Sequence, residues 1–250
     1  MDFPQKYHSS DYVKWHHLQK PSDVDLPLKI DNLRDELEKS AAEDLKLLQE
    51  VFEYFFEYAR TEYKTSKNEE TKYQAADKVD YKKTSSIINK LWRIYKNKNK
   101  FIPLANIRSE ITDLIRTEIV SDTLTSCRFL AERLNIQNIH NKDLKTKCEK
   151  AIKDISFEPE MKMASGYFAY HILVHFADGI IIEVQIYSAI SKKWRDLSHT
   201  LYEIVRDSPI DHDFGSKESR LISLGHLFHL AECEIERLQE DFNKISPKSS

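Results

Sequence analysis

Residues 166–187 have the sequence GYFAYHILVHFADGIIIEVQIY, and this stretch decides the fold. Two apolar runs rich in β-branched and aromatic residues, Tyr167–Phe176 and Ile180–Tyr187, flank the dipeptide Asp178-Gly179. Runs of this kind joined by Asp-Gly are the strongest short-range signal for a β-hairpin. The chain is therefore predicted to contain a sheet, around which its other segments are arranged.

The predicted hairpin carries polar side chains inside its apolar runs. Side chains alternate between the two faces of a strand, so Glu183 and Gln185 share one face of the second strand. By the same rule Tyr167 and His171 share one face of the first strand. The strand pattern alone favours solvent exposure for Glu183 over a place in a functional site, and it favours aromatic packing for Tyr167.

Helical patterns lie on both sides of the hairpin. Apolar residues at helical spacing predict helices over Leu33–Tyr63, Ile87–Tyr95, Ser191–Val205 and Lys217–Phe242. The last of these helices places its apolar side chains on one face. The chain is thus predicted to combine a sheet with several amphipathic helices.

The segments between these elements are less regular. Residues 1–30 hold three prolines and no sustained period, which predicts an irregular arm packed on the body. The polar run 64–80 predicts a solvated loop. Residues 113–120 are interpreted as a short strand, with Ser121 or Asp122 as the cap of the helix that follows.

Composition excludes several functional classes. The 250 residues carry 38 basic and 41 acidic side chains, so no bulk positive charge marks a protein that coats duplex nucleic acid. The four glycines are too far apart to build a dinucleotide fingerprint or a P-loop. Any phosphate site is therefore expected to use basic side chains.

The cysteine count and the hydropathy predict a cytoplasmic protein. Three cysteines without C-x-x-C spacing argue against a disulfide framework or a zinc ribbon. The first residues show no signal-peptide pattern, and no apolar run has the length of a membrane span. We therefore expect no membrane partner.

Upstream of the hairpin, four residues could contact phosphates or a metal. Lys82, Ser86 and Lys90 are four residues apart, so on a helix they form one row able to grip several phosphates. Asp113 lies at the edge of an apolar segment, where it could be a cap or a metal ligand. None of these features is specific by itself.

Their order along the chain is specific. Four motifs follow one another along the chain: Lys-x-x-x-Ser-x-x-x-Lys, Asp-Leu-Ile, Gly-Tyr-x-x-x-His and Glu-x-Gln-Ile. Trp194 and His199-x-x-Tyr202 come after them. This series resembles the synthetase domain of the RelA/SpoT family, the alarmone synthetases. The resemblance implies an α/β (α+β) fold, a mixed sheet flanked by helices as in nucleotidyltransferases. It also implies pyrophosphate transfer from ATP to a ribose 3′-hydroxyl. We accordingly divide the chain into an N-terminal arm and helical extension (1–75), a synthetase core (76–210) and a C-terminal helix and tail (211–250).

The resemblance further implies a role for each matching residue. Mg²⁺ is the implied cofactor, because a polyphosphate donor needs its charge neutralised. The implied site comprises Asp113 and Glu183 for metal binding and catalysis, Gln185 for catalysis, Lys82, Ser86, Lys90 and Arg116 for the donor phosphates, and Tyr167 and His171 for the acceptor. Tyr167 matches the residue that stacks on the acceptor base.

Three departures from the family pattern bear on the acceptor. Asp80 replaces an arginine that contacts the donor adenine, and Arg116-Thr117-Glu118 replaces Gly-x-Arg; Arg116 or Arg93 is our candidate for the missing guanidinium. Together with Ala169, these changes make the sequence similar to those of the toxic small synthetases, several of which modify the tRNA 3′ end. We therefore expect ATP and tRNA as substrates; an antitoxin protein is a candidate partner whose existence the sequence leaves open.

Several alternatives stay open at this point. GDP or GTP is a rival acceptor. A degenerate domain that only senses nucleotide or binds protein is a non-enzymatic alternative. Whether the chain forms oligomers is undecided. His226, His229 and Cys233 have metal-ligand spacing, but core or interface histidines are the favoured interpretation. Residues His212-Asp213 match a hydrolase dyad without its upstream histidines, so no hydrolase is expected. Cys127 is expected to be a small buried residue.

Overall fold

The computed structural model describes residues 2–67, 70–76, 79–158, 161–162, 167–206 and 215–245. The helices are α1 Ser9–Gln19, α2 Leu26–Ser40, α3 Ala42–Lys67, α4 Thr84–Lys98, α5 Ile107–Glu110, α6 Leu124–Arg133, α7 Lys142–Ala151, α8 Ala189–Arg206 and α9 Lys217–Ile245. The strands are β1 Tyr73–Ala75, β2 Asp80–Tyr81, β3 Ile115–Ser121, β4 Ile152–Glu158, β5 Met161–Lys162, β6 Tyr167–Phe168, β7 Tyr170–Phe176 and β8 Ile181–Ser188.

The main sheet is mixed. Its strand order is β1-β3-β8-β7-β4, and β2 also pairs with β3. Only β3 and β8 run parallel among these pairs, whereas β7 pairs antiparallel with both β8 and β4. The chain between β3 and β8 contains α6 and α7, in keeping with the long crossover that a parallel pair needs. The predicted mixed sheet flanked by helices is confirmed.

The predicted hairpin is β7 and β8. Its turn holds Gly179 at φ 88°, a left-handed backbone that glycine adopts without steric cost. The Asp178 carboxylate accepts a hydrogen bond from the Ile180 amide at 2.9 Å, the local bond that makes aspartate a turn residue. The Asp-Gly signal therefore placed this turn correctly.

The two faces of the sheet differ in chemistry. On one face fully buried apolar residues such as Ile119, Val174 and Val184 join the core. Helix α6 lies on that side, where Ser126 is 2.6 Å from Ser121 of β3. Helix α8 lies on the opposite side, where Lys192 pairs with Glu118 of β3 at 2.7 Å. This second face carries the polar side chains of the predicted site.

The prediction of an irregular arm over residues 1–30 is wrong in its local structure. Ser9–Gln19 is α1, and α2 begins at Leu26 with Pro27 in its first turn, where a proline costs no hydrogen bond. Aromatic packing holds α1 on α4, since Trp15 lies 4.5 Å from Tyr95 between ring centroids. Aromatic burial therefore outweighs the weak helical period.

Three further expectations need correction. The helix predicted over 33–63 is two helices, α2 and α3, which meet at Ala41. The polar run 64–80 contains β1 and β2, since pairing with β3 satisfies the backbone and buries Tyr73. The cap of α6 is Thr123, whose hydroxyl accepts from the Ser126 amide at 3.1 Å.

The last helix, α9, packs on the body through polar residues. The Glu232 carboxylate is buried and accepts a hydrogen bond from Ser191 of α8 at 3.3 Å. Glu236 accepts hydrogen bonds from the amide and the hydroxyl of Thr125, both at 2.8 Å. Among the described residues, no helix is both long and apolar enough to span a bilayer.

Glu232 is expected to make stability depend on pH. Burial raises its pKa from 4.5 to about 7, so the folded state binds the proton more tightly than the unfolded chain does. Stability is therefore full below pH about 4.5 and falls as pH rises towards about 7. Glu232→Gln should flatten this decline in urea unfolding between these pH values. Glu234→Gln, at an exposed site on the same helix, should leave the wild-type decline intact. An unchanged decline in Glu232→Gln would contradict the assignment.

Candidate functional site

Two lysines and an aspartate form the first half of the site. Asp113 lies in the turn before β3, and its two oxygens are 2.8 Å from Lys82 Nζ and 2.7 Å from Lys90 Nζ. Lys90 is on α4, as predicted, but Lys82 precedes the helix, so the predicted row on one helix is wrong for Lys82. The reason is that the Lys82 amide donates to Leu114 O at 2.9 Å, which extends the pairing of β2 with β3. Ser86 lies half-buried on α4.

Burial and charge act together on this cluster. Burial, together with the charge of Arg116, lowers the pKa of Lys82 to about 8, although Asp113 opposes the shift. Burial also disfavours the Asp113 carboxylate, but the charges of Lys90 and Lys82 outweigh that effect and hold its pKa well below the usual range. The aspartate is therefore ionised between two cations, in a pocket built to hold charge.

A hydrogen-bond network around Glu183 forms the second half of the site. His171 Nδ1 lies 2.8 Å from one Glu183 oxygen, and Gln185 donates to the other at 2.9 Å. The Tyr187 hydroxyl donates to the Gln185 carbonyl at 2.6 Å. Burial would raise the pKa of Glu183, but the hydrogen bond and charge of His171 outweigh burial and lower it. The network thus orients an ionised carboxylate.

The expectation that Glu183 is solvated is wrong. Glu183 is 9% exposed because β8 is a central strand with β3 on one side and β7 on the other. The alternation rule placed Glu183 and Gln185 on one face correctly. It could not tell that α8 lies on that side of the sheet, where Lys192 pairs with Glu118.

Arg116 connects the two halves. Its Nε is 3.7 Å from Asp80 Oδ2 and 4.0 Å from Glu183 Oε2, since Arg116 faces Asp80 on β2 and Glu183 on β8. Asp113 is three residues before Arg116 in the chain, so both acids lie at the same end of the sheet. Arg93 instead donates to Asn89 on its own helix at 2.9 Å. The structure thus brings Arg116 to Glu183, one of the two predicted acids.

Sequence reasoning missed a second charged cluster on the same face. Glu118 lies beside Gln185 in the strand register and pairs with Lys192 at 2.7 Å and Arg195 at 3.3 Å. Lys192 and Arg195 are three residues apart on α8, and Glu118 is two residues after Arg116 on β3. These spacings were a usable signal. The cluster provides further positive charge near the network.

For the predicted acceptor residues, the structure gives the backbone position of Tyr167 and the side-chain contact of His171. The backbone of Tyr167 lies in β6, paired with Lys162 of β5. His171 lies in β7 and is held by Glu183, as described above. The next residue after Tyr167, Phe168, stacks on His229 of α9 with ring centroids 3.5 Å apart and planes at 8°. The prediction that His229 is a packing residue is confirmed.

The other candidate sites give no second centre. Within the described ranges, no group of three or more histidine, cysteine or acidic side chains is arranged to hold a metal ion. Cys127 is fully buried, as expected. His212-Asp213 and the side chains of His199 and Tyr202 lie outside the described residues.

Comparison with known proteins gives structural matches only. No protein-family model matches the chain, and no curated protein matches it. A structure of small alarmone synthetase 1 from Bacillus subtilis is 18% identical with a TM-score of 0.51, and the match covers 84% of this chain and 99% of that one. A second structure of that enzyme, bound to its product pppGpp, is 17% identical with a TM-score of 0.50, and the match covers 82% of this chain and 97% of that one. The protein therefore has the fold of the small alarmone synthetases.

Proposed function

We propose that the protein is a Mg²⁺-dependent pyrophosphokinase that transfers the β,γ-diphosphate of ATP to the 3′-hydroxyl at the tRNA 3′ end. One observation carries the proposal: Lys82, Lys90 and Asp113 form a partly buried charged cluster at the end of the sheet where His171 orients the Glu183 carboxylate. Catalysis of phosphoryl-type transfer consists mainly of positioning and charge stabilisation, which such a cluster supplies.

The acceptor 3′ oxygen forms a bond to the β-phosphorus while the bond from the β-phosphorus to the oxygen that bridges it to the α-phosphate breaks, and AMP leaves with that bridging oxygen. Lys82 and Lys90 stabilise the charge that spreads over the transferred group. Glu183 accepts the proton of the attacking hydroxyl, since His171 and Gln185 hold its two oxygens in a set orientation. Arg116 supplies a third cation at the donor phosphates.

Asp113 and Glu183 fit the ligand chemistry of Mg²⁺. Both offer carboxylate oxygens, the ligands that this ion prefers, and Asp113 lies just before β3, at the end of that strand where Arg116 pairs with Glu183 of β8. When bound, the ion would neutralise negative charge on the donor phosphates. Because both Asp113 oxygens are paired with lysines, we infer that Lys82 and Lys90 move from Asp113 to the phosphates when the donor binds.

Surface lysines around α4 support a polynucleotide acceptor. Lys83 is exposed at its start, and Lys96, Lys98 and Lys100 are exposed at its end. A 15-residue helix is about 22 Å long at its usual rise, so a mononucleotide cannot contact both ends at once. Lys100 is partly neutralised by Glu110 at 2.5 Å. A toxic synthetase of this kind also implies a neutralising antitoxin protein.

A guanine nucleotide is the second candidate acceptor. It is favoured by the structural likeness to small alarmone synthetase 1 in complex with pppGpp. The acceptor base would in either case stack on Tyr167, a contact worth about 1–3 kcal/mol in comparable sites.

Label transfer from γ-labelled ATP distinguishes these acceptors. We expect label on deacylated tRNA, little on GDP or GTP, and none on periodate-oxidised tRNA, which lacks the 3′-hydroxyl. Because several phosphates are contacted, tRNA labelling should fall steeply with rising salt, by about 10³-fold or more between 50 and 200 mM for six contacts. Efficient labelling of GDP or GTP with untouched tRNA would assign the alarmone reaction instead. Absence of label on every acceptor would indicate a domain that only binds nucleotide.

A further inference from the structure

The last helix presents an apolar stripe to solvent. We define the outer stripe of α9 as Leu224, Phe228, Ile235, Leu238, Phe242 and Ile245, all of them exposed. With Ala231 between Phe228 and Ile235, successive members are separated by four, three, four, three, four and three residues. This is the a/d spacing of a coiled-coil seam, which normally contacts another helix.

The stripe faces away from the protein body. The buried contacts of α9 are made by Glu232, Glu236 and His229, which lie on a different side of the helix from the outer stripe. Exposure is highest at the C-terminal end of the stripe, 67% at Phe242 and 77% at Ile245. Only Phe228 has an aromatic neighbour among the described residues, Trp194 at 5.1 Å between ring centroids. A helix with its polar side buried and its apolar side in water is an unusual arrangement for an unpartnered surface.

The charges beside the stripe indicate what covers it. Glu234 and Asp241 immediately precede Ile235 and Phe242 and so occupy the flanking g positions of the seam, with side chains 62% and 66% exposed. The opposite flank holds Glu232, which is buried against α8, and the uncharged Gln239. Arg237 and Lys244 lie farther round the helix and pair with Glu234 at 3.7 Å and with Asp241 at 3.0 Å; both are exposed i,i+3 pairs, which are weak.

A second copy of this chain does not complement these flanks. In a parallel pair Glu234 would face the uncharged Gln239 of the other copy, and in an antiparallel pair the acidic g positions would face one another. An anionic membrane surface would also be repelled by Glu234 and Asp241. A helix with lysine or arginine at its flanking positions complements both the apolar seam and the acidic flank.

We propose that the outer stripe of α9 is a docking surface for an amphipathic helix of a partner protein, with apolar residues at its a and d positions and basic residues beside them. This interaction does not depend on the proposed catalytic function. The partner helix adds a second apolar layer to α9 and pairs its cations with Glu234 and Asp241.

Two synthetic peptides of about four heptads test the proposal with the full chain. Both carry leucine at a and d; one has lysine and its twin has glutamate at e and g, so that like charges keep each peptide monomeric. Fluorescence anisotropy should show that the lysine peptide binds. The glutamate peptide should bind at least about tenfold more weakly than the lysine peptide. Glu234→Lys with Asp241→Lys should reverse this preference.

Variants of the stripe locate the binding surface. Leu238→Ser with Phe242→Ser should weaken binding of the lysine peptide by about tenfold or more, because two seam residues are lost. Leu230→Ser changes an equally exposed leucine outside the outer stripe and should alter binding by less than about twofold. Circular dichroism should show the wild-type helix content in each variant.

Three results would overturn the proposal. They are equal binding of the two peptides, binding of neither, and binding that survives Leu238→Ser with Phe242→Ser. Sedimentation of the full chain provides a separate check. If the chain sediments as an oligomer that Leu238→Ser with Phe242→Ser converts to monomer, a second copy covers the outer stripe and the partner helix is excluded.

Discussion

Asp113→Asn is expected to abolish measurable pyrophosphate transfer. The substitution removes the charge that holds Lys82 and Lys90 in place and one of two proposed Mg²⁺ ligands. Loss of a group that stabilises transition-state charge costs about 10²–10³-fold in turnover, and the loss of a metal ligand adds to this. The measurement is single-turnover label transfer from ATP at saturating Mg²⁺.

The fold of Asp113→Asn has to be tested alongside its activity. The Asp113 carboxylate offsets the free-energy cost of burying the charged Lys82 ammonium. Without it the folded state loses stability, so the variant should melt at a lower temperature. A control, Asp143→Asn, changes an exposed aspartate at the start of α7 and should retain activity. Near wild-type transfer by a folded Asp113→Asn protein would exclude this residue from catalysis and metal binding.

Lys82→Ala is expected to weaken ATP binding and turnover by about 10²-fold or more, because a buried ammonium aimed at the donor phosphates has no substitute. Lys90→Ala should have the same direction of effect, since the two lysines share Asp113. Titration calorimetry with ATP and Mg²⁺ in the absence of acceptor measures the donor site alone.

Lys83→Ala is the matched control for these lysines. Lys83 is adjacent to Lys82 in the chain but is exposed, so its loss should leave ATP affinity unchanged while it weakens tRNA labelling. If Lys82→Ala and Lys90→Ala both retain wild-type ATP affinity, the phosphates bind elsewhere.

Local patterns in the sequence predicted the elements that local forces determine. The β7–β8 hairpin followed from β-branched alternation around Asp178-Gly179, and α4, α8 and α9 followed from their helical periods. Each of these signals operates over a few neighbouring residues, within which side-chain spacing and turn chemistry are sufficient. The misplaced elements were those stabilised by distant partners, such as α1 under its aromatic contacts and β1 beside β3.

The sequence by itself determined that Glu183 and Gln185 share a strand face, that Lys90 lies on a helix, and that the chain has no glycine-rich loop with which to bind a phosphate. Only the tertiary structure decided that Lys82 and Lys90 converge on Asp113 and that Glu183 is buried. It also decided that α9 turns Glu232 inward and its outer stripe to solvent. The physical reason is that periodicity defines which residues share a face, whereas burial depends on which distant segment covers that face.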